Sequence, residues 1–290
     1  MGYVSPYSSS SRWLRGNLHA HTCCSGFMDI SESGPIYSAL GYDFLAVSDH
    51  NMAPDEEQWR SWQDQVELIL VPSEENGSED HILEIGTHSV TPTPTDVFAE
   101  RAATLRAAGG FVAACHPQQY PHHGEDNVRS GIGALHAFEI FNGLRETRGF
   151  DETANVRLWD ELLTAGKRVW GIATDDFHFA LISPGHGWVC VQVSEEESVN
   201  WQLIVEQLKA GAFYASTSPS FERIELVDGT LTVHAVSWTN SLRVIGPGGH
   251  ILHSEDGSKL QWRTIPDLTY FRIEAVCGIK RAWSQPFYPA

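Results

Sequence analysis

The chain has 290 residues, 42% hydrophobic and 11% aromatic, which allows one large core with a small addition and excludes a disordered or fibrous composition. Nineteen Lys and Arg against 37 Asp and Glu leave a net charge of −18. That balance argues against nucleic acid and anionic membranes as partners, since both are normally bound through a basic stripe. No apolar run approaches the roughly 18 residues of a membrane span, the Ser-rich start lacks a signal-peptide core, and the five cysteines form no C-x-x-C pair, so a reducing cytoplasm is the expected compartment.

In chain order, apolar strand-like runs alternate with helical patterns up to about residue 210. His19 and His21, in Asn17-Leu-His-Ala-His-Thr22, occupy alternate positions of an extended run and so share a face. Phe44-Leu-Ala-Val47 leads into Ser48-Asp-His50, and the run at 66–71 ends in Pro72-Ser-Glu-Glu75. His81 opens the run at 82–85. A helix is predicted over 95–108, closed by Gly109-Gly110. The run at 111–115 ends in His116-Pro117, and the run at 138–141 in Asn142-Gly143. A second helix is predicted over 151–165, closed by Gly166, and a third over 195–210, closed by Gly211. Between these two helices, the run at 169–173 ends in Thr174-Asp-Asp-Phe-His178, where Asp176 and His178 share a face.

Strands alternating with helices predict an α/β fold of parallel β/α units. In β/α barrels the active site lies at the C-terminal strand ends, where most of these polar groups fall. From about residue 215 the pattern changes to short alternating runs punctuated by Asp228-Gly229, Gly246-Pro-Gly-Gly249 and Asp256-Gly257. This predicts a compact antiparallel β unit, and a division into 1–214 and 215–290.

Each histidine motif alone reads more often as a surface or satisfied core feature. Together, imidazoles and carboxylates at successive strand ends form a donor set suited to zinc, manganese or iron. No G-x-S-x-G elbow and no G-x-x-x-x-G-K loop is present, which removes the usual serine-hydrolase and nucleotide-binding alternatives.

The ordered motifs resemble the PHP (polymerase and histidinol phosphatase) superfamily of metal-dependent phosphoesterases. They are His-x-His at 19–21, Asp49-His50, Pro72-x-x-Glu75, His81, Ala114-x-His116-Pro117 and Asp176-x-His178. Gly41-Tyr-Asp-Phe-Leu-Ala-Val47, Glu139-Ile-Phe-Asn-Gly143, Phe213-Tyr-Ala-Ser216 and Arg281-Ala-Trp-Ser-Gln-Pro286 look closest to its CehA/McbA-like metallohydrolase branch. The resemblance implies a distorted (β/α)7 barrel, with a small C-terminal antiparallel β unit, holding two or three divalent ions. His19, His21, Glu75 and Asp176 would hold one ion, Glu75, His81 and His116 a second, while His50 and His178 contribute to a third. A shift by one residue selects Glu74 instead of Glu75, and Asp175 reads as a neighbour that orients a histidine. Where the family carries an acid in a Ser-Asp-Gly run, this chain has Ser25-Gly26-Phe27. Asp29, Asp49 or a water are the alternatives for that place, and a two-metal centre is the alternative to three.

The function expected is metal-assisted hydrolysis of a small phosphate ester, with His50 or His178 protonating the leaving group. Arg145 and Arg148 are candidate anion clamps, and His186 a candidate hydrogen-bond donor to substrate. His122 and His123 read as a solvated loop, and Cys23 and Cys24 as thiols beside the first histidine pair. Hydrolysis of carboxylic or carbamate-type esters is the runner-up. A non-catalytic binding protein with a degenerate metal site is the third reading.

Overall fold

The structure, a computed structural model, describes residues 2–8, 11–120, 122–151, 153–178 and 184–290. Glu152, in the second predicted helix, lies outside the described residues, as do Ser9 and Ser10.

Seven strands of the N-terminal part lie side by side: β1 Ser11–Ala20, β2 Phe44–Val47, β3 Ile69–Asn76, β4 Ile82–Ile85, β5 Phe111–Ala114, β6 Ala137–Asn142 and β7 Trp170–Thr174. The connecting helices are α1 Ile30–Ala39, α2 Glu56–Gln63, α3 Phe98–Ala108, α4 Gly124–Gly131, α5 Gly143–Thr147 and α6 Thr153–Thr164, with α7 Trp201–Ala210 further on. Local chemistry sets their limits. Asp29 and Glu32 form a capping box on α1, Asn200 caps α7, and Gly109 and Gly211 close α3 and α7 in the left-handed conformation.

β1, β2 and β3 are parallel, and so are β5, β6 and β7. β4 departs from the predicted parallel pattern and pairs antiparallel with both neighbours. The reason is length: residues 77–81 are too few for a parallel crossover, which needs about a dozen residues. The sheet turns back on itself where Ala20, at the end of β1, bridges Phe177, just past β7. An apolar layer drawn from every one of these strands, including Leu18, Val71, Leu83, Ala113 and Ile172, packs with Ile204 and Leu208 of α7.

Most of the C-terminal strands continue the same sheet. The region contains β8 Trp188–Ser194, β9 Phe213–Ser216, β10 Phe221–Val227, β11 Thr230–Ala235, β12 Ser241–Gly246, β13 His250–Asp256, β14 Lys259–Arg263, β15 Arg272–Cys277 and β16 Lys280–Ser284. The 13-stranded order is β13-β12-β15-β16-β9-β8-β1-β2-β3-β4-β5-β6-β7, with β10-β11-β14 forming a small separate sheet. β8 pairs antiparallel with β1 along Ser11–Gly16, and two side-chain contacts further tie this region to β7 and α6. The Gln285 amide donates to Gly171 O and accepts from Gly171 N at 2.8 and 2.9 Å, pairing the open edge of β7 as a neighbouring strand would. Arg272 forms a bidentate pair with Asp160 of α6 at 2.8 and 2.9 Å, and both side chains are buried.

Candidate metal centre

Backbone conformation at the strand ends aims the site. His116 and Asp176 have φ of 25° and 52°, uncommon for residues with a Cβ, and both directly follow or closely follow a strand. Near the end of β1, the Asn17 amide bonds both the N–H and the carbonyl of His19 and accepts from Asp175 N at 3.1 Å. The ends of β1 and β7 are thus held in register.

Glu75 is the hub. Its Oε2 lies 3.2 Å from His19 Nε2, 3.3 Å from His21 Nε2 and 3.0 Å from His50 Nδ1. Its Oε1 lies 2.7 Å from His81 Nδ1 and 3.1 Å from His116 Nε2. Asp176 Oδ1 stands 3.4 Å from His19 Nε2, 3.5 Å from His21 Nε2 and 3.3 Å from His178 Nδ1. All eight expected side chains therefore meet in one place. His19, His21, Glu75, His116 and Asp176 are buried, whereas His50, His81 and His178 are partly exposed and form the rim.

Charge explains how such a cluster persists. Burial pulls the His19 imidazole down, but Asp176, Glu75 and Glu139 outweigh it and raise it well above its ordinary value. His21 is raised in the same way. Burial pushes Glu75 and Asp176 up, yet the imidazoles hold both well below the usual carboxylate range. His178 is different: burial and the neighbouring His21 bring it down to about 4. His19 Nε2, His21 Nε2 and Glu75 Oε2 are buried without a hydrogen-bond partner. Orphaned donor atoms converging among carboxylates fit divalent metal ions.

Glu74 points to the other face of β3, where it accepts from Thr91 N at 3.0 Å. The missing acid has a steric cause. A Cβ on Gly26 would stand 2.8 Å from Thr22 O and 2.9 Å from His178 O, so this turn has no room for an aspartate. Neither suggested substitute joins the donor atoms around Glu75 and Asp176, although Asp49 Oδ1 stands 4.0 Å from His21 Nδ1. Asp29 caps α1, and Asp49 accepts from Thr22 N and Oγ1 at 2.9 and 2.6 Å and from Ser25 N at 3.1 Å. Asp175 accepts backbone N–H groups from Gly185, His186 and Gly187 and the Tyr37 hydroxyl, which fixes the loop rather than a histidine.

Arg145 is buried with Nη2 3.3 Å from Asp176 Oδ2, while Arg148 is exposed. His186 pairs with Glu146 at 3.1 Å, outside the cluster. His123 pairs with Asp80 at 2.8 Å and stays half-exposed, and Cys23 and Cys24 are exposed.

Glu139, quoted in the sequence only as part of a motif and given no site role there, is the further candidate the geometry adds. From the middle of the wholly buried β6 its carboxylate accepts from His19 Nδ1 at 2.7 Å, Thr174 Oγ1 at 2.6 Å, Asn142 Nδ2 at 2.7 Å and His116 N at 2.6 Å. Holding the proton on His19 Nδ1 leaves Nε2 free to face a metal. The available signal was an acid inside an apolar strand, which burial penalises unless it is fully hydrogen-bonded.

No family model matches the sequence, and no curated protein matches it. Solved structures do resemble it. A two-domain protein from Bacteroides vulgatus, containing a predicted PHP-like metal-dependent phosphoesterase, superposes with a TM-score of 0.57 at 14% identity, covering 100% of this chain and 90% of that one. A candidate metal-dependent phosphoesterase from Bifidobacterium adolescentis gives 0.43 at 15% identity, over 67% of this chain and 96% of its own. An amidohydrolase from Chromobacterium violaceum, with bound sulfate and no metal, gives 0.46 at 12% identity, over 66% and 96%. The first likeness spans the whole chain and shows a shared mixed α/β fold.

Proposed function

We propose that this protein is a metal-dependent hydrolase of the PHP phosphoesterase type, acting on a small phosphate ester. The observation that carries the reading is Glu75, whose two oxygens face different sets of imidazoles, as a carboxylate bridging two cations would. His19, His21, Glu75 and Asp176 would hold one ion and Glu75, His81 and His116 another; His21, His50 and His178 lie together for a third, but without an acid of their own. Zinc, manganese or iron suits these donors. Bound ions supply charge neutralisation and an acidified water.

The chain's own residues do the rest. Arg145, already beside Asp176, offers its guanidinium to a phosphoryl oxygen. His50, at the rim, is placed to deliver a proton to the leaving group, whereas His178, held neutral at physiological pH, serves as a ligand. His186 stays a candidate substrate contact through its partly exposed side chain. Every ligand comes from residues 1–214, and residues 215–290 brace that unit through Gln285 and Arg272. The motifs at 41–50 and 281–286 support the CehA/McbA-like branch, and five free cysteines support a cytoplasmic location.

Esters of carboxylic or carbamic acids are a second reading, favoured by one observation: Arg145 is the sole Lys or Arg paired with a proposed ligand among the described residues. A panel of phosphomonoesters, phosphodiesters, aryl esters and carbamates separates the two. Turnover of the phosphate set, lost when His19 and His21 are both replaced by Ala, is the expected result. Turnover of the carbonyl set alone would reject the first choice, and activity surviving the double replacement would reject the metal mechanism.

A further inference from the structure

The metal centre described above makes no use of the side chain before His116. Cys115 is buried and belongs to the apolar layer shared by β1 to β7. Yet its sulfur lies with a ring nitrogen of His19, a Glu75 oxygen and a ring nitrogen of His116, all within 4.8 Å of one another. The partnerless His19 Nε2 and Glu75 Oε2 belong to the same group of side chains. A thiol serving only as a small apolar filler needs no such neighbours.

We propose that Cys115 is a sulfur donor, with His19, Glu75 and His116, to a metal ion at the inner end of the cluster. The inference rests on the metal-centre reading above. Coordination takes the sulfur as thiolate, and its proton passes to solvent. A thiolate beside imidazole and carboxylate tilts the position towards zinc, and towards its probes cobalt and cadmium, over manganese. This is a metal preference built into the barrel interior, independent of the rim histidines.

The test uses the full chain carrying Cys23→Ser and Cys24→Ser, which removes the two exposed thiols near the entrance. This protein is stripped with chelator, titrated with cadmium or cobalt, and followed both by metal content and by near-ultraviolet thiolate-to-metal absorption. The band should grow as metal binds, vanish when Cys115→Ser is added, and survive Cys190→Ser, a change to a buried thiol in β8. X-ray absorption of the zinc-loaded parent gives a second reading that needs no Cys115 variant, with sulfur expected among the atoms bonded to zinc. Metal bound without a sulfur signature, or a band that survives Cys115→Ser, overturns the sulfur donor and leaves the metal centre standing. No metal bound at all overturns both.

Discussion

Glu74 and Glu75 are adjacent on β3, equally buried, and opposite in behaviour. Glu75 faces the imidazoles and is held well below the usual carboxylate range despite the opposing push of burial. Glu74 faces outward from the cluster and sits opposite Glu84 in the β3–β4 register, where burial raises it. Burial acts in the same direction on both, so the partners decide the outcome. A buried carboxylate is therefore no sign of a site by itself; its neighbours make it one.

The sharpest way to break the comparison is to neutralise each side in turn. Glu75→Gln removes the hub of five imidazoles. It should empty the site of metal and lower turnover by about 10³-fold, the equivalent of several kcal/mol of lost charge stabilisation. Glu74→Gln should leave metal content unchanged. Mass-spectrometric metal counts on both proteins decide the matter, and equal losses in the two would show that the faces are not independent.

A smaller effect is expected one layer out. Glu139→Gln keeps the shape of the side chain but puts an amide where four donors converge on a carboxylate. Metal affinity should fall by about 10- to 100-fold. A competition titration against a coloured chelator measures it, with circular dichroism showing that the chain remains folded. Unchanged affinity would mean that His19 needs no orienting partner.

These contrasts also mark what was legible in the sequence. The eight candidate ligands were readable because a strand end limits where a side chain can point, and each motif lay at one. Alternation placed Glu74 and Glu75 on opposite faces but could not tell which face was inward, because that depends on how β3 pairs. The antiparallel β4 had a local signal in the short 77–81 connection, which the alternating pattern masked. Asp49, weighed only as a stand-in for the missing acid, gives its bonds to Thr22 and Ser25. The continuous sheet rests on pairings such as Tyr214↔Ser284, too distant in sequence for a local pattern to carry.

The outer face offers the subtlest test. Burial first, and then the charge of Glu74, raise Glu84 to about 7. Its side chain has little freedom to move away, for a Cβ on Gly110 would stand 2.5 Å from Glu84 Cγ. A carboxyl raised on folding binds more protons in the folded chain than in the unfolded one. Its contribution is therefore most favourable below the unfolded value and is lost as pH rises towards about 7. Glu84→Gln cannot ionise and so escapes that loss. It should unfold at higher denaturant concentration than the parent at about pH 8, by on the order of 1 kcal/mol, with the gain shrinking towards pH ~4. Paired urea titrations at the two pH values read the difference. A gain of the same size at both would assign it to packing, and no gain at the higher pH would mean that the pair carries no net cost and that the two faces of β3 differ less than their partners imply.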